Sequence, residues 1–120
     1  ANQVVKRLVA ENFISHERYA RAFCRDKMRF NGWGRIKVAF MLKTKGIDKA
    51  CIETVLAEVD EEEYARTLHR LLSNKWREVC HKDAQKARAS LMRFAASRGF
   101  EPNLFNPIIQ EVMDKQTDLE

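Results

Sequence analysis

The sequence predicts an all-α protein made of tandem three-helix repeats. Only two prolines and four glycines interrupt its 120 residues, and the apolar residues recur at helical rather than strand spacing. Two blocks also recur in the same order. Tyr19-Ala20-Arg21 returns at 64–66 and Lys45-Gly46-Ile47 returns in kind at 98–100, with offsets of 64 − 19 = 45 and 99 − 46 = 53. We therefore expect a curved, elongated helical array whose second copy is eight residues longer than its first.

The first helices are placed by an apolar stripe and a capping residue. The stripe consists of Val4, Val5, Leu8 and Val9. It predicts a short helix that ends near Asn12, and Ser15 is the candidate N-cap of the next helix, which runs to about Arg29.

A glycine-rich turn and a glycine stop divide the rest of the first copy. The turn at 31–34 holds two of the four glycines and predicts a sharp corner between helices. The following helix is expected to end at Gly46, after two lysines that suit a helix C-terminus. Asp48 is the candidate cap of the third helix.

The second copy repeats this plan in different residues. The acidic run 60–63 suits a helix start, and we expect the eight extra residues to lengthen that helix or the link before Asp83. The middle helix is predicted over 84–98, and Pro102 opens the last one, because proline costs little in a first turn. Counted from the two glycines, four apolar pairs match: Ile47 with Phe100, Ile52 with Phe105, Val55 with Ile108 and Leu56 with Ile109.

Composition and motifs argue against several classes of protein. No apolar run is long enough to cross a membrane, no export leader is recognisable, and three scattered cysteines favour reduced thiols, so we expect a cytoplasmic protein without disulfides. Cys80-His81 is the only adjacent pair of metal-ligand types, and we interpret Cys80 as a small buried hydrophobe. With no phosphate-binding glycine loop or nucleophile motif, we predict no enzyme activity, metal or cofactor.

Positive charge is concentrated in the first copy. Residues 18–49 contain ten Lys or Arg and two Asp, a net of +8, whereas the whole chain carries +5 and the remainder therefore −3. Such a basic region indicates a phosphate-bearing or acidic partner, although an ordinary solvated face is the simpler alternative. The predicted partner surface consists of Arg18, Arg21, Arg25, Arg29, Arg35, Lys37, Lys43 and Lys45. A weaker basic set, Lys82, Lys86, Arg88 and Arg93, lies in the second copy.

The aromatic residues of the repeats have two interpretations. Trp33 is expected to pack at the helical corner, and the alternative is that it stacks on a nucleic acid base beside Arg35. Tyr19 and Tyr64 occupy equivalent positions, so we interpret both as structural, each with its hydroxyl bonded at the rim of the core.

These motifs together resemble those of the RecX family, bacterial regulators of the RecA recombinase. The resemblance rests on His16-Glu17-Arg18-Tyr19-Ala20-Arg21-Ala22-Phe23, on Gly32-Trp33-Gly34-Arg35-Ile36 followed by Leu42, Lys45, Gly46 and Ile47, and on Arg93-Phe94 with Arg98-Gly99-Phe100. It implies a non-enzymatic protein, expected to be monomeric, that binds the RecA filament, with or without single- or double-stranded DNA, and restrains its assembly, ATPase and strand exchange in DNA repair and the SOS response. Family members usually have three three-helix repeats.

The resemblance also suggests a division of the chain. Residues 1–14 would be the last helix of a truncated first repeat, 15–59 the second repeat, 60–114 the third and 115–120 a tail, which suggests a piece of a longer protein. Two other functions stay open: a DNA-binding protein, either a helix–turn–helix reader using 35–45 or a nonspecific binder, and a helical adaptor of the tetratricopeptide kind. The adaptor's ~34-residue period fits the observed offsets poorly.

Overall fold

The described part of the chain is an elongated bundle of six α-helices, 71 × 23 × 22 Å along its principal axes. The computed structural model describes the backbone of residues 2–118 and the side chains of residues 16–115. The helices are α1 (Asn2–Phe30), α2 (Arg35–Thr44), α3 (Lys49–Ala57), α4 (Glu61–Val79), α5 (Ala84–Ser97) and α6 (Pro102–Asp118). The predicted all-α class and elongated shape are confirmed.

Helix α1 is continuous, so the predicted break between Asn12 and Ser15 is wrong. No glycine or proline lies between Asn2 and Phe30, and a serine inside a helix costs only a few tenths of a kcal/mol relative to alanine, about 0.5 kcal/mol at most. A residue that can cap a helix does not by itself end one. The predicted stripe of Val4, Val5, Leu8 and Val9 lies outside the described side chains.

The six helices pack as two units, each around its own core. In the first unit α1, α2 and α3 contact one another, and in the second α4, α5 and α6 do so. The first core consists of Ala20, Cys24, Val38, Leu42, Ile47, Cys51, Ile52 and Val55. The second consists of Tyr64, Leu68, Leu72, Val79, Ala87, Leu91, Ala95, Phe100, Phe105, Ile108, Ile109 and Val112. Met28 and Val59 pack against both cores and connect them.

The eight extra residues of the second unit lengthen its helices and leave its link unchanged. From Tyr64 to the end of α4 there are 15 steps, against 11 from Tyr19 to the end of α1. Helix α5 has 14 residues and α2 has 10, whereas both links, 31–34 and 80–83, have four. Four residues thus extend α4 and four extend α5.

Several predicted helix ends are confirmed. The Asp60 side chain caps α4 by accepting hydrogen bonds from two backbone N–H groups, at 2.9 and 3.2 Å. Asp48 occupies the N-cap position of α3 without a capping side-chain bond. Gly46 and Gly99 follow α2 and α5 with φ of 86° and 90°, the left-handed conformation that favours glycine. Pro102 is the first residue of α6.

Cys80 is exposed, so its predicted burial is wrong. It occupies the C-cap position of α4, one residue beyond the buried Val79. The lengthened helix thus carries it past the edge of the core. Cys24 and Cys51 are buried instead, and burial raises the pKa of each thiol.

The two units meet at a joint formed by backbone hydrogen bonds. The N–H groups of Gly34 and Ile36 donate to the carbonyls of Arg98 and Gly99, at 2.7 and 2.9 Å, and the Arg35 N–H donates to the Tyr64 hydroxyl at 2.8 Å. These donors open α2, where N–H groups have no partner within the helix, and the carbonyls end α5. The positive end of one helix dipole therefore meets the negative end of another.

Side chains reinforce this joint. The Arg35 guanidinium binds Glu101 at 2.9 Å and Glu61 at 2.5 Å and lies 4.2 Å from the centroid of the Tyr64 ring. The Tyr64 hydroxyl donates to Glu101 at 2.5 Å. Burial, followed by this hydrogen bond, raises the pKa of Tyr64 well above its usual value. We call Gly34, Arg35, Tyr64, Gly99 and Glu101 the joint.

Replacing Tyr64 by phenylalanine is expected to destabilise the protein by about 1–3 kcal/mol. The ring would keep its packing on Phe100, at 5.3 Å between centroids, but the Arg35 N–H would lose its acceptor and Glu101 a donor. Urea denaturation measures the change. Tyr19→Phe is the control, because the Tyr19 hydroxyl has no hydrogen-bond partner among the described side chains and its ring is 46% exposed. Equal losses in the two variants would contradict the role of the Tyr64 hydroxyl.

Candidate functional site

Four of the predicted site residues form an arginine stripe along α1. Arg18, Arg21, Arg25 and Arg29 follow one another at three- and four-residue steps, so they lie on the same side of the helix. All four are exposed. This stripe is continuous because α1 continues without interruption to Phe30.

The arginine stripe forms one wall of a cleft of about 370 Å³ at the junction of the two units. Arg21, Arg25 and Arg29 line it from α1, and Arg70 lines it from α4. Its apolar lining includes Met28 and Val59, the residues that connect the two cores, with Val55, Trp33 and Phe100. We call this cleft the arginine cleft. Three carboxylates, Glu58, Asp60 and Glu63, also line the cleft, against four arginines. The arginine wall and the apolar lining suit a ligand that carries both negative charge and apolar groups.

Arg21 is held in place by two carboxylates. Its guanidinium makes a bidentate contact with Glu58 of α3, at 2.7 and 2.9 Å, and a third bond with Glu17 at 2.8 Å. The bond to Glu58, followed by that to Glu17, raises the pKa of Arg21, and the bond from Arg21 lowers the pKa of Glu58. Arg21 therefore links α1 to α3, and much of its charge is neutralised there.

The other arginines of the cleft form few or no ion pairs. Arg25 forms one ion pair, with Asp26 at 4.0 Å, and both side chains of this pair are exposed. Arg29 and Arg70 form no ion pair with any side chain in the range 16–115, and the same holds for Arg18 at the outer end of the stripe. Arg29 and Arg70 thus line the arginine cleft without an ion pair and Arg25 with one long ion pair, although Asp60 and Glu63 line the same cleft.

Arg35 is separated from this surface. It belongs to the joint, where its side chain is 19% exposed and binds two carboxylates. A guanidinium neutralised in this way presents little charge to a partner. The geometry assigns Arg35 to holding the units together.

Two of the three predicted lysines lie on the other side of α1, against aromatic rings. Tyr19, Phe23 and Trp33 form an aromatic cluster with centroids 6.0 and 6.2 Å apart. The Lys37 ammonium lies 4.6 Å from the Trp33 centroid and that of Lys45 lies 5.7 Å from Phe23, which are cation–π distances. Lys43 is exposed near the end of α2.

Trp33 has both a packing role and a charged environment. It is half-buried against the first core, as expected for a corner residue, and Lys27 joins Lys37 over its ring at 5.0 Å. Tyr19 differs from Tyr64 in being largely exposed at the end of the aromatic cluster. The two tyrosines occupy equivalent positions in the repeat, but the prediction that both are structural residues with a bonded hydroxyl is wrong for Tyr19.

Sequence reasoning missed two contributors to these surfaces. Arg70 lies outside the basic stretch and reaches the arginine cleft only because the folded chain brings α4 to it, so no local pattern marks it. Lys27 was within the basic stretch, and its four-residue spacing from Phe23 was a usable signal. Apart from Arg35, the predicted residues thus divide between two surfaces that share Trp33, which belongs to the aromatic cluster and also lines the arginine cleft.

Helix α2 exposes apolar rather than base-reading side chains. Ile36 and Phe40 lie one turn apart and are 53% and 67% exposed. A major-groove reader presents Arg, Asn or Gln at such positions. In the described part of the chain, no helix is both long and apolar enough to cross a membrane.

Comparison with known proteins gives consistent matches. Residues 15–56 match the family model described as RecX, second three-helix domain. The chain is 28% identical over 119 residues to the regulatory protein RecX of Clostridium beijerinckii, covering 98% of this chain and 55% of that protein. It is 30% identical over 106 residues to that of Clostridium botulinum strain Alaska E43, covering 86% and 49%. The chain thus spans about half the length of these curated relatives.

A solved structure matches the fold. The crystal structure of RecX from Lactobacillus salivarius superposes with a TM-score of 0.79 at 20% identity, covering 92% of this chain and 72% of that one. Both Clostridium relatives are named regulatory proteins, the class of protein that the sequence analysis predicts.

Proposed function

Because this chain belongs to the RecX family, we propose that it acts in the bacterial cytoplasm as a regulator of the RecA recombinase. In this proposal it binds the RecA nucleoprotein filament through the arginine stripe and restrains filament assembly, ATP hydrolysis and strand exchange during DNA repair and the SOS response. Its action is binding without chemistry.

The observation that carries this proposal is the group of exposed arginines that lines the arginine cleft from both units. Arg25, Arg29 and Arg70 form no ion pair with the cleft carboxylates Asp60 and Glu63, and Glu58 is bound by Arg21. A nucleoprotein filament offers acidic side chains and phosphates, and charge complementarity of this kind speeds and orients association. The stripe extends from the cleft along α1 to Arg18, which enlarges the charged surface.

The shape of the molecule supports the same proposal. The joint connects the units through backbone bonds and holds them in an array 71 Å long. An array of this length can contact neighbouring subunits of a filament at once. If it binds one filament state more tightly than another, it shifts the equilibrium toward that state by its difference in affinity.

Retention of RecA by the immobilised full-length protein tests the proposal. We expect RecA to be retained both with and without single-stranded DNA, and less RecA at 0.5 M than at 0.1 M salt, because charged contacts are screened. Retention of RecA only with DNA would mean that the contact needs the assembled filament or the nucleic acid itself. Equal retention of the DNA without RecA would then assign the contact to nucleic acid alone. No retention under any condition would refute filament binding.

Nonspecific DNA binding is the second candidate, and the aromatic cluster favours it. Exposed Tyr19 stacks on Phe23, and three lysines lie over the Phe23 and Trp33 rings, which resembles the combination of stacking rings and cations used by single-strand binders. We expect the affinity for DNA to fall linearly with log salt, by a slope of about −0.7 per phosphate contact on single strands, and equally for unrelated sequences. A retained preference for one sequence would instead indicate a base reader.

A further inference from the structure

The second unit contains a basic pocket that is separate from the arginine cleft. It has a volume of about 420 Å³ and lies between the end of α4 and helix α5. Its lining residues are Lys75, Val79, Lys82, Ser90, Arg93, Phe94 and Ser97. No carboxylate is among these residues, so the pocket's charge is positive.

Two cations converge on one buried hydroxyl in this pocket. The Lys82 Nζ lies 3.3 Å from the Ser90 Oγ, and the Arg93 Nη2 lies 3.4 Å from the same oxygen. Ser90 is only 9% exposed and is the one polar residue among the buried side chains of the described chain. Both bonds are long for a hydrogen bond, so they are readily exchanged for shorter bonds to an anion.

The electrostatics of the pocket are uncompensated. Neither Lys82 nor Arg93 forms an ion pair with a described side chain, whereas Lys75 at the rim binds Glu78 at 3.0 Å. Two like charges close to one oxygen repel each other, and an anion between them would remove the repulsion. With both lone pairs of Ser90 facing donors, its own hydrogen stays available to donate.

We infer that this pocket binds a phosphate group through Lys82, Arg93 and the Ser90 hydroxyl. An ammonium, a guanidinium and a hydroxyl offer donors in three directions, which suits the several oxygens of a phosphate. The pocket is larger than a phosphate alone, and the Phe94 ring on its wall leaves an apolar surface for an attached sugar or base. This inference is independent of filament binding, because it uses the second unit and none of the residues of the arginine stripe.

An NMR titration of the full-length protein with inorganic phosphate, at constant ionic strength against chloride, tests the inference. We expect saturable shifts of the backbone amides of Lys82, Ser90 and Arg93, and an apparent Kd at least tenfold weaker in Lys82→Gln and in Arg93→Gln. Lys86→Gln is the matched control, because it removes the same charge from an exposed position on α5 outside the pocket. It should bind phosphate as the unmodified protein does.

A parallel titration with a short thymidine oligonucleotide distinguishes the sources of phosphate. If the ligand is a nucleic acid backbone, the oligonucleotide shifts the same amides at lower concentration than phosphate and phosphate displaces it. If the ligand is a free phosphate, the oligonucleotide leaves these amides unchanged while phosphate shifts them. The inference is overturned if neither ligand gives a saturable shift there, or if Lys82→Gln binds no more weakly than Lys86→Gln.

Discussion

Gly99→Ala is expected to destabilise the protein by about 2–5 kcal/mol, the largest effect among the single substitutions proposed for the fold. Two costs combine at this position. Its φ of 90° is strained for any residue with a Cβ, and that Cβ would lie 2.3 Å from the Lys37 Cβ and 2.4 Å from the Lys37 backbone nitrogen. Because backbone is involved, a side-chain movement cannot relieve the contact. The two units would have to separate at the joint.

Gly46→Ala is the matched control. Gly46 has nearly the same conformation, with φ of 86°, but an added Cβ would meet nothing within 4 Å. Only the conformational cost applies there, about 1–2 kcal/mol. Urea denaturation of the two variants separates strain from contact. If Gly99→Ala lowers the free energy of unfolding no more than Gly46→Ala does, the close approach of the two units at the joint is contradicted.

Gly34→Ala isolates the contact without the strain. Its φ of −90° suits any residue, yet an added Cβ would lie 2.4 Å from the Gly99 carbonyl oxygen. We expect a loss of about 1–3 kcal/mol from this overlap.

Charge reversal of Arg25 and Arg29 together is expected to weaken binding to the RecA filament at least tenfold, or by about 1.4 kcal/mol. These two arginines line the arginine cleft, and their only ion pair with a described side chain is the exposed 4.0 Å contact of Arg25 with Asp26. Stability should stay within about 0.5 kcal/mol of the unmodified protein, because exposed positions of this kind contribute little to folding. Filament binding is measured by fluorescence anisotropy of labelled filaments, and stability by urea denaturation.

Reversal of Arg66 and Arg77 is the control for net charge. Both lie exposed on α4, outside the arginine cleft, and the pair changes the total charge by the same amount. Equal weakening in both double variants would mean that only total charge matters. Arg21 is unsuitable for this test, because a carboxylate at that position would face Glu17 and Glu58 and disturb the contact between α1 and α3.

The parts of the fold that could be predicted are those with local causes. Gly46, Gly99, Asp60 and Pro102 act on their own helix ends, and all four mark ends in the structure. The predicted break at Ser15 is wrong because a capping residue permits a helix start but does not end the helix before it. No glycine or proline lies near Ser15 to end that helix. The extra eight residues could be counted, but their division between α4 and α5 depends on how the second core is filled.

The positive charge of the candidate surfaces could be predicted from the sequence, but the positions of their residues in space could not. The basic stretch 18–49 was visible, but Arg35 is paired within the joint because α2 meets α5 and α4 there, contacts that no sequence pattern encodes. Arg70 joins the arginine cleft because folding brings α4 to that cleft, and no sequence pattern encodes this either. Ser90 has no distinguishing neighbour in the sequence, and its importance depends on where Lys82 and Arg93 fall in space.

The central claim is that the arginine stripe of this two-unit array binds the RecA filament and lowers its ATP hydrolysis and strand exchange. The most direct measurement is DNA-dependent ATP hydrolysis and strand exchange by RecA with the full-length protein in excess. We predict that both rates fall, that the Arg25 and Arg29 double reversal restores them, and that the Arg66 and Arg77 double reversal does not. Unchanged RecA activity at saturating protein, or equal inhibition by both double variants, would contradict the account.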